Sequence, residues 1–348
     1  LEKRERASGL VKIAIAGSSI LLSLLAGATL FWAVGLDPWQ VYLKFGQVFL
    51  TSTGLAETLV RATPLMLIAL GLIPAFRSGF WNIGAEGQLH MGAFGATLVV
   101  MTLAEMLGGS LIPLMLVVSF LLGSIWGVIP AILRAKLQVN EVLTTLMMNF
   151  IAILWIDYLV YGPWRDPEGY GFPLTAMFPE AARLPGLLGT RVHTGFLIGL
   201  VTTVVIYIIM NWTILGYSIK VTGDSPQAAR YAGISYTKTI ILVMIISGGL
   251  AGLAGMGLVS GIVFRLRHGI SPGYGYTAII VAWLGRLNPW ATAVSSILFG
   301  GLLVGGDVLQ MAFDLPVATV FVFQALILIF LLVGEVFYRY RIRVMADG

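Results

Sequence analysis

Cysteine is absent from all 348 residues, so the chain can build neither a disulfide framework nor a thiolate metal site. Histidine is nearly absent, with only His90, His193 and His268 present. The three are isolated, with no His-Glu-x-x-His pattern and no spacing suited to zinc, and each reads as a loop or interfacial histidine. No Gly-x-x-x-x-Gly-Lys-Ser/Thr loop exists to cradle nucleotide phosphates, and no Gly-x-Ser-x-Gly elbow presents a serine. An intramembrane enzyme is therefore left without a nucleophile, a metal or a nucleotide site. Charge is scarce too, at 11% of residues against about 25% in soluble domains.

Apolar residues take the place of the missing ones. They make up 58% of the chain, with a mean hydropathy of +0.93, and recur in runs of about 20, the length that crosses bilayer hydrocarbon. Ten spans are predicted, near 11–34, 58–76, 88–107, 111–133, 141–161, 195–214, 238–260, 275–286, 290–310 and 317–338. The first follows Lys3, Arg4 and Arg6 in the manner of a signal peptide. Its length and the lack of a clear small-residue cleavage site favour a retained span. The expectation is one all-α transmembrane domain, 1–348, embedded in lipid bilayer.

The net charge of +5 comes from basic residues scattered between spans, not from a stripe with aromatics. No nucleic-acid partner is therefore expected. The basic residues instead read as topology signals. With the N-terminus inside, fourteen of twenty-one Lys and Arg fall inside, and both termini are expected in the cytoplasm. Two connections exceed the needs of a hairpin. The outer one, 162–194, is rich in Pro, Gly and aromatics and suits a lid or docking surface. The inner one, 215–237, is polar; Ser225 can cap a short helix with Pro226 at its first position that runs to Gly233. Such a helix is what a motor domain would push against.

Polar residues inside a span are costly unless they face protein, water or solute. Asn82, Glu86, Gln88 and His90 cluster in Gly79-Phe-Trp-Asn-Ile-Gly-Ala-Glu-Gly-Gln88 and the two residues beyond. Gly79, Gly84 and Gly87 allow the backbone there to unwind or to approach another helix. The cluster is read as the wall of a translocation path, against the plainer reading of a packed helix start. Asn140 and Glu141 read as caps of the fifth span, whereas Asn149, two turns further in, needs a partner. Tyr274, Tyr276 and Trp283 border a second Gly-interrupted segment, Gly269 to Tyr276. Their faces suit stacking on a flat base or a sugar, but tyrosine and tryptophan are also enriched at membrane interfaces, and that ordinary reading is the favoured one here. The glycine pairs Gly123/Gly127, Gly248/Gly252 and Gly257/Gly261 allow close helix crossing.

Four stretches together resemble the branched-chain amino acid, ribose and nucleoside family of ABC importer permeases. They are Trp81-Asn-Ile-Gly-Ala-Glu-Gly-Gln88, Val139 to Asn149, Gly223 with Ala228-Ala229-Arg-Tyr-Ala-Gly-Ile234, and Ser247 to Gly255. The first is most similar to permeases of nucleoside-type systems that use a basic-membrane-protein-like lipoprotein. The resemblance, from about Glu57 onward, implies a ten-span architecture like that of the cobalamin-type (type II) importers, in the cell inner membrane. It also implies three partners: an ATPase subunit that binds the ATP, a second homologous permease forming a heterodimer, and an extracytoplasmic solute-binding lipoprotein. It makes Gly223, Asp224, Ala228, Ala229 and Gly233 the element coupled to the ATPase. The permease itself is expected to be non-catalytic and to hold no cofactor or metal. Its expected function is to move a small polar solute, a nucleoside foremost, by alternating access. The alternatives are a sugar or vitamin ABC permease, and an ion-coupled secondary transporter with Glu86 as the ion-linked carboxylate.

Overall fold

The computed structural model describes residues 2–3, 9–107, 111–187 and 189–341. Apart from a two-residue pairing of Glu2–Lys3 with Tyr340–Arg341, the elements are helical. In chain order they are α1 (Gly9–Ala33), α2 (Pro38–Leu50), α3 (Ser52–Arg77), α4 (Ala85–Leu107), α5 (Leu111–Leu137), α6 (Glu141–Tyr161), α7 (Gly195–Trp212), α8 (Ile214–Asp224), α9 (Pro226–Tyr231), α10 (Tyr236–Gly261), α11 (Tyr274–Leu284), α12 (Pro289–Phe313) and α13 (Val317–Arg339). Among the described residues, seven helices are long and apolar enough to cross a membrane: α3, α4, α5, α6, α7, α10 and α12. The apolar runs read at 11–34, 275–286 and 317–338 fall on shorter apolar stretches, Gly17–Ala33, Tyr274–Leu284 and Val317–Leu331.

Two helices lie where the sequence reading had only connections. Helix α2 starts at Pro38, and the Asp37 carboxylate caps it by accepting the Trp39 N–H at 2.9 Å. Its Gln40, Lys44 and Gln47 interrupt the apolar run, so hydropathy alone passes over it. Helix α8 occupies the first part of the 215–237 connection and is capped by Thr213, whose hydroxyl accepts the Gly216 N–H at 3.2 Å.

The backbone divides into two units, Leu1–Thr58 with Gly301–Gly348, and Leu59–Gly300. In the first, α1 packs along α13. Its core is aromatic: the Phe31 and Phe323 rings lie 4.9 Å apart, and Phe45 meets Phe323 edge-on at 5.8 Å.

The second unit is built round α4, α5 and α10. In hydrocarbon, apolar burial gives little drive for helices to associate, so close van der Waals packing and interhelical hydrogen bonds must supply it. Gly92 lies against the Gly252 backbone, Gly123 against Gly248, and Gly255 against the Leu89 carbonyl, each so near that a Cβ would overlap the facing main chain. Ser119 Oγ donates to the Gly92 carbonyl at 2.9 Å and Ser124 Oγ to that of Ile245 at 2.8 Å. The long 162–194 connection is bound to the end of α10 and the segment before α11. Leu184 N–H donates to Ser260 O, Phe178 N–H to Phe264 O, Thr175 N–H to Leu266 O and His268 N–H to Pro173 O, at 2.8–3.1 Å. The Arg183 guanidinium lies 5.0 Å over the Phe264 ring.

His193, just before α7, is buried at the foot of this connection. Its Nδ1 accepts the Gly195 N–H at 3.2 Å, and its Nε2 finds no partner among the described residues. Desolvation lowers its pKa to about 4.

Candidate functional site

Helix α3 ends at Arg77 because Gly79 takes a left-handed φ of +78°, closing the last turn through a bond from Phe80 N–H to Ala75 O at 3.0 Å. The chain then runs without regular secondary structure to Gly84 before α4 begins. This 78–84 connector carries Asn82, whose buried side chain satisfies all its polar capacity internally. Oδ1 accepts the Gly84 N–H at 2.9 Å and Gln88 Nε2 at 3.2 Å, while Nδ2 donates to Gln88 Oε1 at 3.0 Å and to Ser247 Oγ at 2.9 Å. Asn82 and Gln88 therefore close on each other and on α10.

Glu86, in the first turn of α4, reaches the start of α11, where its Oε2 accepts the Gly275 N–H at 2.6 Å. A carboxylate is favoured there by the positive end of the helix. A Cβ on Gly275 would overlap the Glu86 backbone, so glycine is required for this approach. The Glu86 carbonyl accepts His90 Nδ1–H at 2.8 Å; since a carbonyl only accepts, the His90 proton sits on Nδ1.

Asn149 finds the partners it needs. Its Oδ1 accepts the Gly87 N–H at 2.8 Å, and its Nδ2 donates to the Ile83 carbonyl at 2.9 Å and to Tyr276 Oη at 3.1 Å. One buried amide thus joins α6 to the connector, to α4 and to α11. One turn earlier on the same face, Thr145 Oγ1 accepts the Ile83 N–H at 3.2 Å. Tyr274 is buried, with its hydroxyl receiving Arg61 Nη1 at 3.0 Å. Tyr276 is 37% exposed, and its oxygen accepts from the buried Asn149 amide.

Asn82, Glu86, Gln88, Asn149, Tyr274 and Tyr276 thus meet in one constellation. The first five are buried and turned toward protein partners, and Tyr276 is the member that opens to the surface. Trp283 stands apart from them, about two turns beyond Tyr276 in α11, stacked on Trp81. Ser247, Thr145 and Arg61 also take part and were not singled out from sequence. For Thr145 a signal existed, since Glu141, Thr145 and Asn149 repeat every four residues and share one helix face.

At the end of the unit that carries Arg77, Arg134 and Arg286, helix α9 forms as expected. Ser225 Oγ accepts the Ala228 N–H at 3.2 Å, Ala229 is buried, and Gly233 at φ +76° ends the helix. Asp224 and Ala228 are exposed. Gly223 packs onto the Arg77 carbonyl with no room for a side chain. A cavity of about 890 Å³ opens between α9, the end of α5 and the start of α10, lined by Arg134, Gln138, Gln227, Arg230 and Tyr236.

The family described as branched-chain amino acid transport system / permease component matches residues 54–332. The glucose ABC transporter permease protein TsgB13 of Haloferax volcanii is 36% identical over 94% of this chain and 89% of its own length. The guanosine ABC transporter permease protein NupP of Bacillus subtilis is 32% identical over 90% of each chain. NupQ, a guanosine ABC transporter permease protein of the same bacterium, is 27% identical over 74% of this chain and 84% of its own. No solved structure matches. With the match spanning the whole polar constellation and α9, the chain belongs to the branched-chain amino acid transport system / permease component family of ABC importer permeases.

Proposed function

We propose that this permease carries a nucleoside inward across the cell inner membrane, as one of two homologous permeases joined to a separate ATPase and an extracytoplasmic solute-binding lipoprotein. The carrying observation is the outward-facing Tyr276, held by Asn149 where α4, α6 and α11 meet. Its partly exposed aromatic ring suits stacking on a base or on the ring of a sugar. In this reading Asn82, Glu86, Gln88 and Asn149 are the frame of the path, and Tyr276 and Trp283 stand beside the solute. Support for two permeases comes from NupP and NupQ, two relatives within one bacterium that share a transporter name. The reading includes ten spans in a type II arrangement, with α9 and both termini in the cytoplasm. Arg77, Arg134, Arg230 and Arg286 gather at the α9 end, as the positive-inside rule asks. Gly223, Asp224, Ala228, Ala229 and Gly233 receive the stroke of the ATPase.

A sugar is the second reading, favoured by the name of TsgB13. Uptake by proteoliposomes containing both permeases and the ATPase, with the binding protein outside, decides between them. Labelled guanosine is expected to accumulate only with internal ATP and binding protein. Accumulation of glucose instead establishes the sugar reading. Uptake by this chain alone under a proton or sodium gradient overturns both.

A further inference from the structure

A stack of aromatic side chains closes the α9 end of the unit. Trp81, on the 78–84 connector, lies against Trp283 in the last turn of α11, with ring centres 5.6 Å apart and planes 21° apart. Phe76 completes the group, 5.6 Å from Trp81 and 5.7 Å from Trp283. Arg77 Nη2 donates to the Arg286 carbonyl at 3.5 Å, holding the ends of α3 and α11 side by side. Trp81 remains 46% exposed.

An interfacial tryptophan of an aromatic belt sits on a lipid-facing helix. This stack does not. It stands at the end of α3, whose apolar window is 83% buried, against 28% for α5 and for α6. The exposed indole face therefore emerges from an enclosed part of the protein, where a polar solute leaving the Tyr276 region toward that end would meet it.

A second observation concerns what lies behind the connector. Gly223, near the end of α8, is in backbone contact with Arg77 and Ser78, and a Cβ on Gly79 would come within 3.7 Å of Gly223 Cα. Helix α8 leads directly into α9. No side chain intervenes, so a shift of α8 bears directly on the main chain of the residues leading to Trp81, with no rotamer between to absorb it.

Resting on the importer reading, we propose that the Trp81–Trp283 stack is the inner stop of the solute path, and that Gly223 is the contact through which α8 and α9 displace it. Trp81 and Trp283 then act on the solute directly, and Gly223 is a positioning residue.

The test uses the assembled transporter in proteoliposomes preloaded with labelled guanosine or glucose, whichever the wild type pumps. Without ATP, Trp81→Ala and Trp283→Ala are expected to raise solute efflux about tenfold, as removal of a bulky constriction should. Trp81→Phe, which keeps an aromatic plate, should stay near wild type. Gly223→Ala should retain ATP hydrolysis and low efflux while losing about nine-tenths of uptake, as a coupling defect requires. The absence of native cysteine adds a readout that needs no change at Gly223. A Ser78→Cys chain, changed at a buried connector residue beside Gly223 with both tryptophans kept, should react with a thiol reagent about threefold faster with ATP and loaded binding protein than without, as the stop shifts population.

Wild-type efflux from both alanine variants, in vesicles whose wild type pumps, overturns the stop. Full uptake by Gly223→Ala, or an unchanged labelling rate at position 78, overturns the link. A wild type that shows no ATP-driven uptake removes the importer reading itself, a separate failure.

Discussion

Asn149 illustrates how one amide can hold a site. Its acceptor and both donors are engaged across three elements, so Asn149→Ala strands the Gly87 N–H and the Ile83 carbonyl in a buried setting. A loss of about 2–4 kcal/mol is expected, read as lowered thermal stability in detergent. Tyr276→Phe removes only the last bond of the set. It leaves one Asn149 N–H without its acceptor, so it should lower thermal stability by only about 1 kcal/mol, and it should raise KM for uptake if Tyr276 stands beside the solute as proposed. Equal destabilisation by both changes would mean that Tyr276 is a packing residue. At this scale the sequence was partly legible. Polar side chains inside a span announce themselves, and Asn149 plainly required a partner. What could not be read was direction. Asn82 and Gln88 have the same composition whether their amides face a channel or each other, and the partner of Asn149 lies 127 residues away.

Among elements, legibility followed the range of the signal. Helix α9 was readable because cap, proline and terminating glycine all act within nine residues, Ser225 to Gly233. Helices α2 and α8 were not, because each mixes polar residues into its apolar ones and is defined by the neighbours it packs on. Close crossing at Gly123, Gly248 and Gly252 was foreseen from their spacing, whereas Gly257 and Gly261 instead lie beside the His193 ring. The seam of α4, α5 and α10 has a measurable consequence. Gly92→Ala forces a methyl into the Gly252 backbone and should cost about 1–3 kcal/mol, seen as a lower melting temperature of the purified protein. Gly17→Ala meets nothing within 4 Å and should raise helix stability slightly, by less than about 1 kcal/mol. A tolerant Gly92 would show that the seam is looser than its geometry.

For the whole molecule, the stability of the folded state is tied to pH through His193. The ring lies against Gly195 of α7 and Gly261 of α10, so its charging opposes the packing of two helices at once. Its folded pKa, about 4, lies below the ordinary 6.5. Between those values the unfolded chain binds the extra proton, so stability should be level above about pH 6.5, fall as pH drops, and level again below about 4. The full loss is at most about 3 kcal/mol. His193→Gln should remove this part of the dependence, and identical melting curves for both proteins between about pH 7 and pH 5 would contradict it. Membrane residence and the number of apolar runs were legible at this scale because bilayer thickness sets a length that hydropathy can count. The division into two units was not, since it depends on contacts between residues 1–58 and 301–348 at opposite ends of the chain.

The glycines where α4, α5 and α10 meet main chain to main chain leave no spare volume. Any larger residue there adds atoms that have nowhere to go, so change is penalised whatever the cargo. Diversification of cargo among relatives, glucose in one and guanosine in another by their names, must then be written elsewhere. Surface-opening positions such as 81 and 276 can vary at little structural cost, and it is at such positions that a lineage could acquire a new nutrient without rebuilding the framework.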